Sequence, residues 1–170
     1  IEVLKTIIAL LFVCIGYSAY AQSNLNDYKY IIVPKKFNSF KETNEFQTST
    51  LIKYLFNGKG FNVVYDDALP SDLNTNRCLG LLVDLQDDSS LFTTKTIIVL
   101  KDCNDNAVFT SMQGTSKEKQ YKAAYTESIR EAMRSFNGTD YAYNGKSEKN
   151  EAVTVSFRND VKKLDENKVD

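Results

Sequence analysis

The chain has 170 residues, of which 42% are hydrophobic and 25% charged, the size and composition of a single globular domain. Its formal net charge of −1 gives no net field that would attract nucleic acid or an anionic membrane. It contains no histidine, which excludes Ser-His and Cys-His nucleophile systems and most zinc sites.

The first 21 residues have the layout of a secretory signal peptide. A lysine precedes an apolar run over residues 7–16, and small residues end at Ala19-Tyr20-Ala21. The uncharged stretch is shorter than the roughly 20 residues that cross a bilayer core. Bulky residues stand where a lipoprotein signal before Cys14 would have small ones. We therefore expect cleavage after Ala21 and an exported chain, secreted or periplasmic in the cell envelope, rather than a membrane anchor or a lipoprotein.

The remaining chain opens with a strand, a helix and a second strand. The β-branched and aromatic run Tyr28–Pro34 is typical of a strand that a proline ends. Asn44, with a glutamine three residues later, indicates the start of a helix that Gly58 ends. A second strand is predicted from Phe61, followed by a polar loop over residues 67–76.

Two longer apolar segments, residues 78–85 and 94–103, flank the linker QDDSSLF and are typical of an antiparallel hairpin. They contain Cys78 and Cys103, the two cysteines of the exported chain, and disulfides persist outside the cytoplasm. Neither a C-x-x-C spacing nor a cationic setting indicates a redox-active pair. We predict a structural disulfide between them, which stabilises the fold by about 3 kcal/mol in the chain-entropy model.

Pairing the two cysteines directly opposite one another sets the register of the hairpin and places Val83 opposite Ile98. One face of the hairpin is then the apolar stripe that a half-buried sheet requires. Its members are Leu79, Leu81, Val83, Leu85, Ile98 and Leu100.

The opposite face of the hairpin is a candidate interaction surface. In the same register it carries Leu82, Ile97 and Val99, and Phe109 joins them if a fifth strand, residues 107–112, continues the sheet through a tight turn. The outer face of a small sheet is normally polar, so this cluster should be covered. The cover is either the chain's own AVTVSF segment or a partner, meaning another protein or a second copy. We favour a partner, because a polar linker precedes AVTVSF.

A second helix is predicted to follow, with Thr115 and Glu118 as its capping box and Gly138 at its end. Lysines and tyrosines alternate near its start, where the helix dipole disfavours cations. They are candidate contacts for an anionic ligand, and a solvated helix face is the alternative. These candidates are Lys117, Lys119, Tyr121 and Lys122.

The element order β-α-β-β-β-β-α predicts an α+β fold, a two-layer sandwich in which a mixed five-stranded sheet carries both helices on one face. The first two strands should be parallel, and an antiparallel meander should follow. The domain is predicted to span residues 22–136, and the polar residues 137–170 to form a flexible tail.

The sequence contains no recognisable cofactor, metal or catalytic motif. The glycines are scattered, which excludes a phosphate loop, and the adjacent carboxylates at residues 66–67 and 87–88 are typical of solvated turns. A calcium-loop pattern begins at Asp102, but Ala107 and Gln113 occupy the positions of its glycine and glutamate. We therefore expect no cofactor and no metal, and a hairpin turn after Asp102.

Four segments, YKYIIVPKKF, LPSDLNTNRC, VLKDCNDNAVF and SIREAMRSF, resemble uncharacterised exported proteins of Bacteroidota. The resemblance covers roughly residues 22–136. It implies an envelope location and the two cysteines, and it carries no activity and no site residues.

Two classes of function fit these observations. The first is a non-enzymatic envelope or secreted module that binds a protein partner or a second copy through its sheet, and the missing catalytic groups favour it. The second is a small hydrolase or ligand-binding protein that uses carboxylates and tyrosines. A deep pocket lined by converging acids would favour the second class, and a flat apolar sheet face the first. Export and a near-neutral charge disfavour nucleic-acid binding.

Overall fold

The computed structural model describes residues 24–146 of the chain. The predicted signal peptide, Cys14, the cleavage site after Ala21 and the AVTVSF segment lie outside the described residues.

These residues form an α+β sandwich with a mixed six-stranded sheet, which confirms the predicted fold class. The strands are β1 Tyr30–Val33, β2 Val63–Tyr65, β3 Gly80–Asp87, β4 Thr94–Lys101, β5 Ala107–Thr110 and β6 Gly114–Ser116. The α-helices are α1 Thr48–Gly58, α2 Ser71–Thr75 and α3 Tyr121–Ala132. Two of these elements, β6 and α2, were not predicted, and α2 lies within the predicted polar loop.

Helices α1 and α3 lie on the same face of the sheet and enclose the main hydrophobic core. Ile52 and Phe56 of α1 and Ile129 of α3 are fully buried there. The sheet contributes most of the predicted apolar stripe, each member 0–1% exposed: Leu81, Val83, Leu85, Ile98 and Leu100. The period-two pattern of the hairpin therefore identified the core correctly.

The strand order is β2-β1-β3-β4-β5, with β6 also beside β4. Strand β1 is parallel to both β2 and β3, and the antiparallel meander runs only from β3 to β5. The prediction that the meander follows directly from β2 is therefore wrong. The short helix α2 lies on the outer face, where Leu73 packs with Ile32 and Leu79. The connection from β2 to β3 passes through α2 on the outer face and crosses β1. A right-handed crossover on that face leads to the far side of β1, which explains the order.

The predicted disulfide between Cys78 and Cys103 is confirmed, with a Cα–Cα distance of 4.9 Å. The strand register is two residues from the prediction, because Val83 lies opposite Leu100 and not opposite Ile98. Both cysteines lie outside the strands, Cys78 in a 3-10 turn before β3 and Cys103 in the turn after β4. A 3-10 turn advances about 2.0 Å per residue and a strand about 3.3 Å, so the cysteine pair does not set the strand register.

A register shift of two residues leaves every side chain on its face of the sheet, so the buried stripe survives the error. Leu79 is the exception. It belongs to the 3-10 turn and packs on the outer face with Ile32 and Leu73. Placing Leu79 on the helix-covered face was therefore wrong, because the turn interrupts the alternation.

Strands β5 and β6 lie end to end beside β4 and form one interrupted edge. Helix α3 approaches β6 closely at Gly114, where a Cβ atom would lie 1.8 Å from the carbonyl oxygen of Ser128. The carboxylate of Glu131 accepts the backbone N–H of Thr115 at 2.5 Å, which covers part of the exposed edge. The predicted capping box is wrong, because Thr115 belongs to β6 and α3 begins only at Tyr121.

The turn after Asp102 is a hairpin turn, as predicted. The Asp102 carboxylate accepts the backbone N–H groups of Asn104 and Asn106 at 2.9 Å each. Burial opposes the charged form of Asp102, but the hydrogen bonds from Asn106 and Asn104 outweigh it and lower the pKa of this carboxyl.

The packed part of the domain extends beyond Phe136, the predicted boundary. Tyr141 stacks on Phe61 with ring centroids 4.3 Å apart, and its hydroxyl donates to the carbonyl oxygens of Tyr28 and Lys29. Burial raises the pKa of Tyr141 to about 12. The first ten residues of the predicted tail are therefore part of the fold, since aromatic packing outweighs their polar composition.

Candidate functional site

The interaction face predicted from the sequence is interrupted. Leu82 is 39% exposed, Ile97 is half-buried and Val99 is buried. Asp84 lies opposite Val99, and its carboxylate pairs with the ammonium of Lys101 at 3.1 Å. An ion pair therefore crosses the middle of the predicted apolar cluster.

Phe109 lies on the opposite side of the sheet from its predicted position. It is paired with Leu100, and its ring contacts Phe136 in the main core with centroids 4.4 Å apart. A β-bulge between Leu100 and Lys101 shifts the register of β5 by one residue. Because a one-residue shift reverses every side chain, the placement of Phe109 on the same face as Leu82, Ile97 and Val99 was wrong.

The most exposed large apolar side chains lie at the apex of the β3–β4 hairpin. Leu91 is 95% exposed and Phe92 is 86% exposed. The backbone N–H of Ser90 donates to the carbonyl of Thr93 at 2.8 Å and closes a turn with Leu91 and Phe92 at its centre. Turns are built mostly from Gly, Pro, Asn, Asp and Ser. Turn formation therefore does not account for this pair.

Behind the apex, a stack of aromatic rings joins α3 to the loop 41–47. Phe46 lies between Tyr121 and Tyr125, with ring centroids 5.5 Å and 5.0 Å apart. Phe46 has a φ of 52°, and Asn44 and Gln47 beside it also have positive φ. A bulky residue in this conformation costs roughly 1–3 kcal/mol, which the surrounding packing must offset. We call the apex turn 88–93, the loop 41–47 and residues 117–122 together the hairpin end.

A buried hydrogen bond fixes the base of the hairpin end. The Tyr125 hydroxyl donates to the Asp87 carboxylate at 2.5 Å, and the same carboxylate accepts the backbone N–H of Ser89 at 2.9 Å. Burial raises the pKa of Tyr125 above its ordinary value, and the Asp87 carboxylate raises it further. Asp87, predicted as a solvated turn residue, therefore orients the turn against α3.

This arrangement predicts a specific loss of stability at alkaline pH. An unfolded chain ionises its tyrosines near pH 10, whereas folded Tyr125 stays protonated. Its contribution to the free energy of unfolding is thus present below about pH 10 and is lost as the pH rises above that value. Urea unfolding between about pH 8 and pH 11 should show a shallower decline for Tyr125→Phe than for the wild type. The exposed Tyr54→Phe serves as the control, and equal slopes for Tyr125→Phe and the wild type would contradict the proposed burial.

The four anion-contact candidates fall at the hairpin end but do not converge on one point. Lys117 and Lys122 line an open groove of about 1220 Å³ along α3, whereas Lys119 and Tyr121 do not. Only Tyr121 and Lys122 belong to the helix, since α3 begins at Tyr121. Carboxylates also line the groove, so it offers no uniformly cationic site. They are Glu118, Glu127 and Glu131.

Leu91 and Phe92 were not predicted as site residues from the sequence, where they belong to QDDSSLF, the segment that connects the two strands of the hairpin. The signal that could have found them is two adjacent large apolar residues inside that linker. Within residues 24–146 no group of three acidic or cysteine side chains is arranged to hold a metal ion. None of the helices in that range is long and apolar enough to cross a bilayer.

No protein-family model matches the sequence, and no curated protein matches it. Among solved structures, the chain is similar to a PelC dodecamer from Paraburkholderia phytofirmans at 11% identity, over 66% of this chain and 92% of that one. It is also similar to a dodecamer of a PelC point variant from the same organism at 13% identity, over 66% and 91% of the two chains. The TM-score is 0.44 in both cases. A likeness of this extent assigns neither a family nor a function.

Proposed function

We propose that the chain is a small exported, non-enzymatic domain of the cell envelope or the secreted fraction, an interaction module whose contact surface is the hairpin end. The observation that carries the proposal is the exposure of Leu91 and Phe92 in a turn that does not require them. Burying a side chain of either type is worth about 1.5–3 kcal/mol relative to leaving it in water. A partner that covers the apex therefore gains about 3–6 kcal/mol from these two side chains.

Two features support an exported location. Residues 1–21 have the order of charge, apolar run and small residues that a signal peptide requires. The bonded Cys78 and Cys103 fit an oxidising compartment, since cytosolic disulfides are rare.

The groove along α3 supports the alternative, a small hydrolase or ligand-binding protein, less well. Two of its carboxylates are occupied by the adjacent strand. Glu127 accepts a hydrogen bond from the Ser116 hydroxyl, and Glu131 accepts the backbone N–H and the hydroxyl of Thr115. These hydrogen bonds from Thr115 also lower the pKa of Glu131. Such carboxylates hold β6 against α3, and their hydrogen bonds occupy the oxygens that a general acid and base would use.

The test is the double substitution Leu91→Ser with Phe92→Ser. We expect it to weaken co-sedimentation with isolated bacterial envelopes at least tenfold, because the apolar contact area is removed. The melting temperature should stay close to that of the wild type, since exposed positions change stability by only about 0.5 kcal/mol.

Two matched variants make the comparison specific. Tyr54→Ser removes a side chain that is 67% exposed on α1, away from the hairpin end, and should bind like the wild type. Leu82→Ser tests the sheet face that the sequence predicted. A loss of binding in Leu82→Ser with normal binding of the apex variant would place the contact surface on the sheet instead.

A further inference from the structure

We infer that the partner of the hairpin end is a lipid bilayer, and that Leu91 and Phe92 insert into its interfacial layer. The inference rests on the proposed function and names the partner of the same surface. The inference rests on the arrangement of side chains at the hairpin end, which are uncharged at the tip and amphipathic or cationic farther from it.

Beyond Asp88, the tip of the apex turn is free of charge. The six residues from Ser89 to Thr94 are serines, threonines, Leu91 and Phe92. Ionised side chains are expensive at apolar depth, whereas hydroxyls and large apolar groups are tolerated in the interfacial layer. The turn is also held rigid, because the Ser90–Thr93 hydrogen bond and the Asp88–Lys95 hydrogen bond of 3.1 Å close it. Insertion would therefore need little further ordering of the chain.

Amphipathic and cationic side chains lie behind the apex. Tyr121 is 69% exposed, and tyrosine concentrates at the boundary between membrane and water. Lys117 and Lys122 line the groove along α3 that begins at Thr93 and extends to Arg134. Among residues 24–146, no carboxylate lies within 4 Å of the ammonium group of either lysine. Both lysines can therefore face lipid phosphates.

The acidic groups of the same region reduce the attraction between the lysines and lipid phosphates. They lie behind the uncharged tip and leave it apolar. Asp87 directs its carboxylate to Tyr125 and Ser89, and Glu45 accepts the backbone N–H groups of Lys41 and Glu42. The remaining carboxylates, Glu42, Asp88 and Glu118, are exposed. Because the chain as a whole has a net charge of −1, the apolar apex must provide most of the binding. The hairpin end has four lysines and four carboxylates, so its lysines add contacts to lipid phosphates without a net preference for anionic headgroups.

A protein partner fits the same surface less well. A protein interface of standard size buries about 800 Å² on each partner. The side chains of Leu91 and Phe92 provide only part of that area, since an aromatic residue buries about 150–250 Å². The groove beside them carries charges of both signs. A bilayer needs no complementary contour and accepts a small convex apex.

The chain contains no tryptophan, so Phe92→Trp places a single fluorescent probe at the apex. The full exported chain is mixed with vesicles of equal parts phosphatidylglycerol and phosphatidylcholine, with and without brominated acyl chains. We expect a blue shift of the emission and quenching by the brominated lipid. Adding Leu91→Ser to the same variant should weaken vesicle binding at least tenfold. The control, Tyr54→Trp on α1, should show neither a shift nor quenching.

A Phe92→Trp emission that vesicles leave unchanged would overturn the inference. In that case a blue shift with detergent-solubilised envelope proteins would retain the proposed function with a protein as the partner. No response to vesicles, to solubilised proteins or to intact envelopes would reject the proposed function as well. A shift without quenching by brominated chains would also count against insertion, because the side chain would then contact headgroups only.

Discussion

Gly114→Ala should lower the free energy of unfolding by about 3 kcal/mol or more, the upper range for overpacking a well-packed contact. The added methyl group would lie 1.8 Å from the carbonyl oxygen of Ser128 and 2.7 Å from the backbone nitrogen of Ala132. Both obstacles are backbone atoms of α3, so no side chain can move aside, and the helix must separate from β6. Urea unfolding at neutral pH measures the effect, and a failure to fold is its extreme form.

The matched control is Gly58→Ala, at the end of α1. A Cβ atom there would meet nothing within 4 Å, and alanine restricts the unfolded chain more than glycine does. Its free energy of unfolding should equal or slightly exceed that of the wild type. Wild-type stability in Gly114→Ala would show that α3 does not approach β6 as closely as described.

Cys78→Ser should lower the free energy of unfolding by about 3 kcal/mol in the chain-entropy model. The disulfide joins residues 25 apart, and it connects the 3-10 turn before β3 to the turn after β4. Both cysteines are exposed, so the substitution of Cys78 by serine removes little buried surface area. The effect would therefore measure the covalent link itself. Urea unfolding of oxidised wild type and of the variant gives the difference.

Three comparisons check the origin of that loss. Reduced wild type should unfold at the same urea concentration as Cys78→Ser. Cys103→Ser should equal Cys78→Ser, and the double substitution should be no worse than either single one, because one bond is lost in each case. A double variant as stable as the oxidised wild type would show that the link contributes nothing.

The core of this fold was predictable because its signal is redundant. The alternation from Leu81 to Leu85 and the pair Ile98 and Leu100 assign the buried face whether or not the register is known to within two residues. The assignment of the longer segments to strands or helices was predictable for the same reason. The strand order could not be predicted in the same way, because it depends on the side of β1 to which the connection through α2 returns. The segment 71–75, which forms α2, is too short for a helical period to be detected in the sequence.

The candidate site was predicted only in part. Tyr121 and the nearby lysines do lie at the hairpin end, although the start of α3 was placed too early because Thr115 and Glu118 imitate a capping box. Phe109 was misplaced by a single-residue bulge, which leaves no pattern in the sequence. Leu91 and Phe92 were missed because loops are expected to be polar on average, and these two positions of the loop are apolar.

The strand order also decides when the chain can bury its first strand. Strand β1 is synthesised before its partners, which are Val63–Tyr65 and Gly80–Leu82, the latter 50 residues later. The β3–β4 pairs are only 9 to 19 residues apart, from Asp87 with Thr96 to Leu82 with Lys101, and local pairing of this kind forms faster. The apolar segment Ile31–Val33 can pair with β2 on one edge, but its other edge stays unpaired until β3 has emerged. During that interval it is a template for pairing with other chains, so the topology makes folding of this domain most sensitive to protein concentration before its sheet is complete.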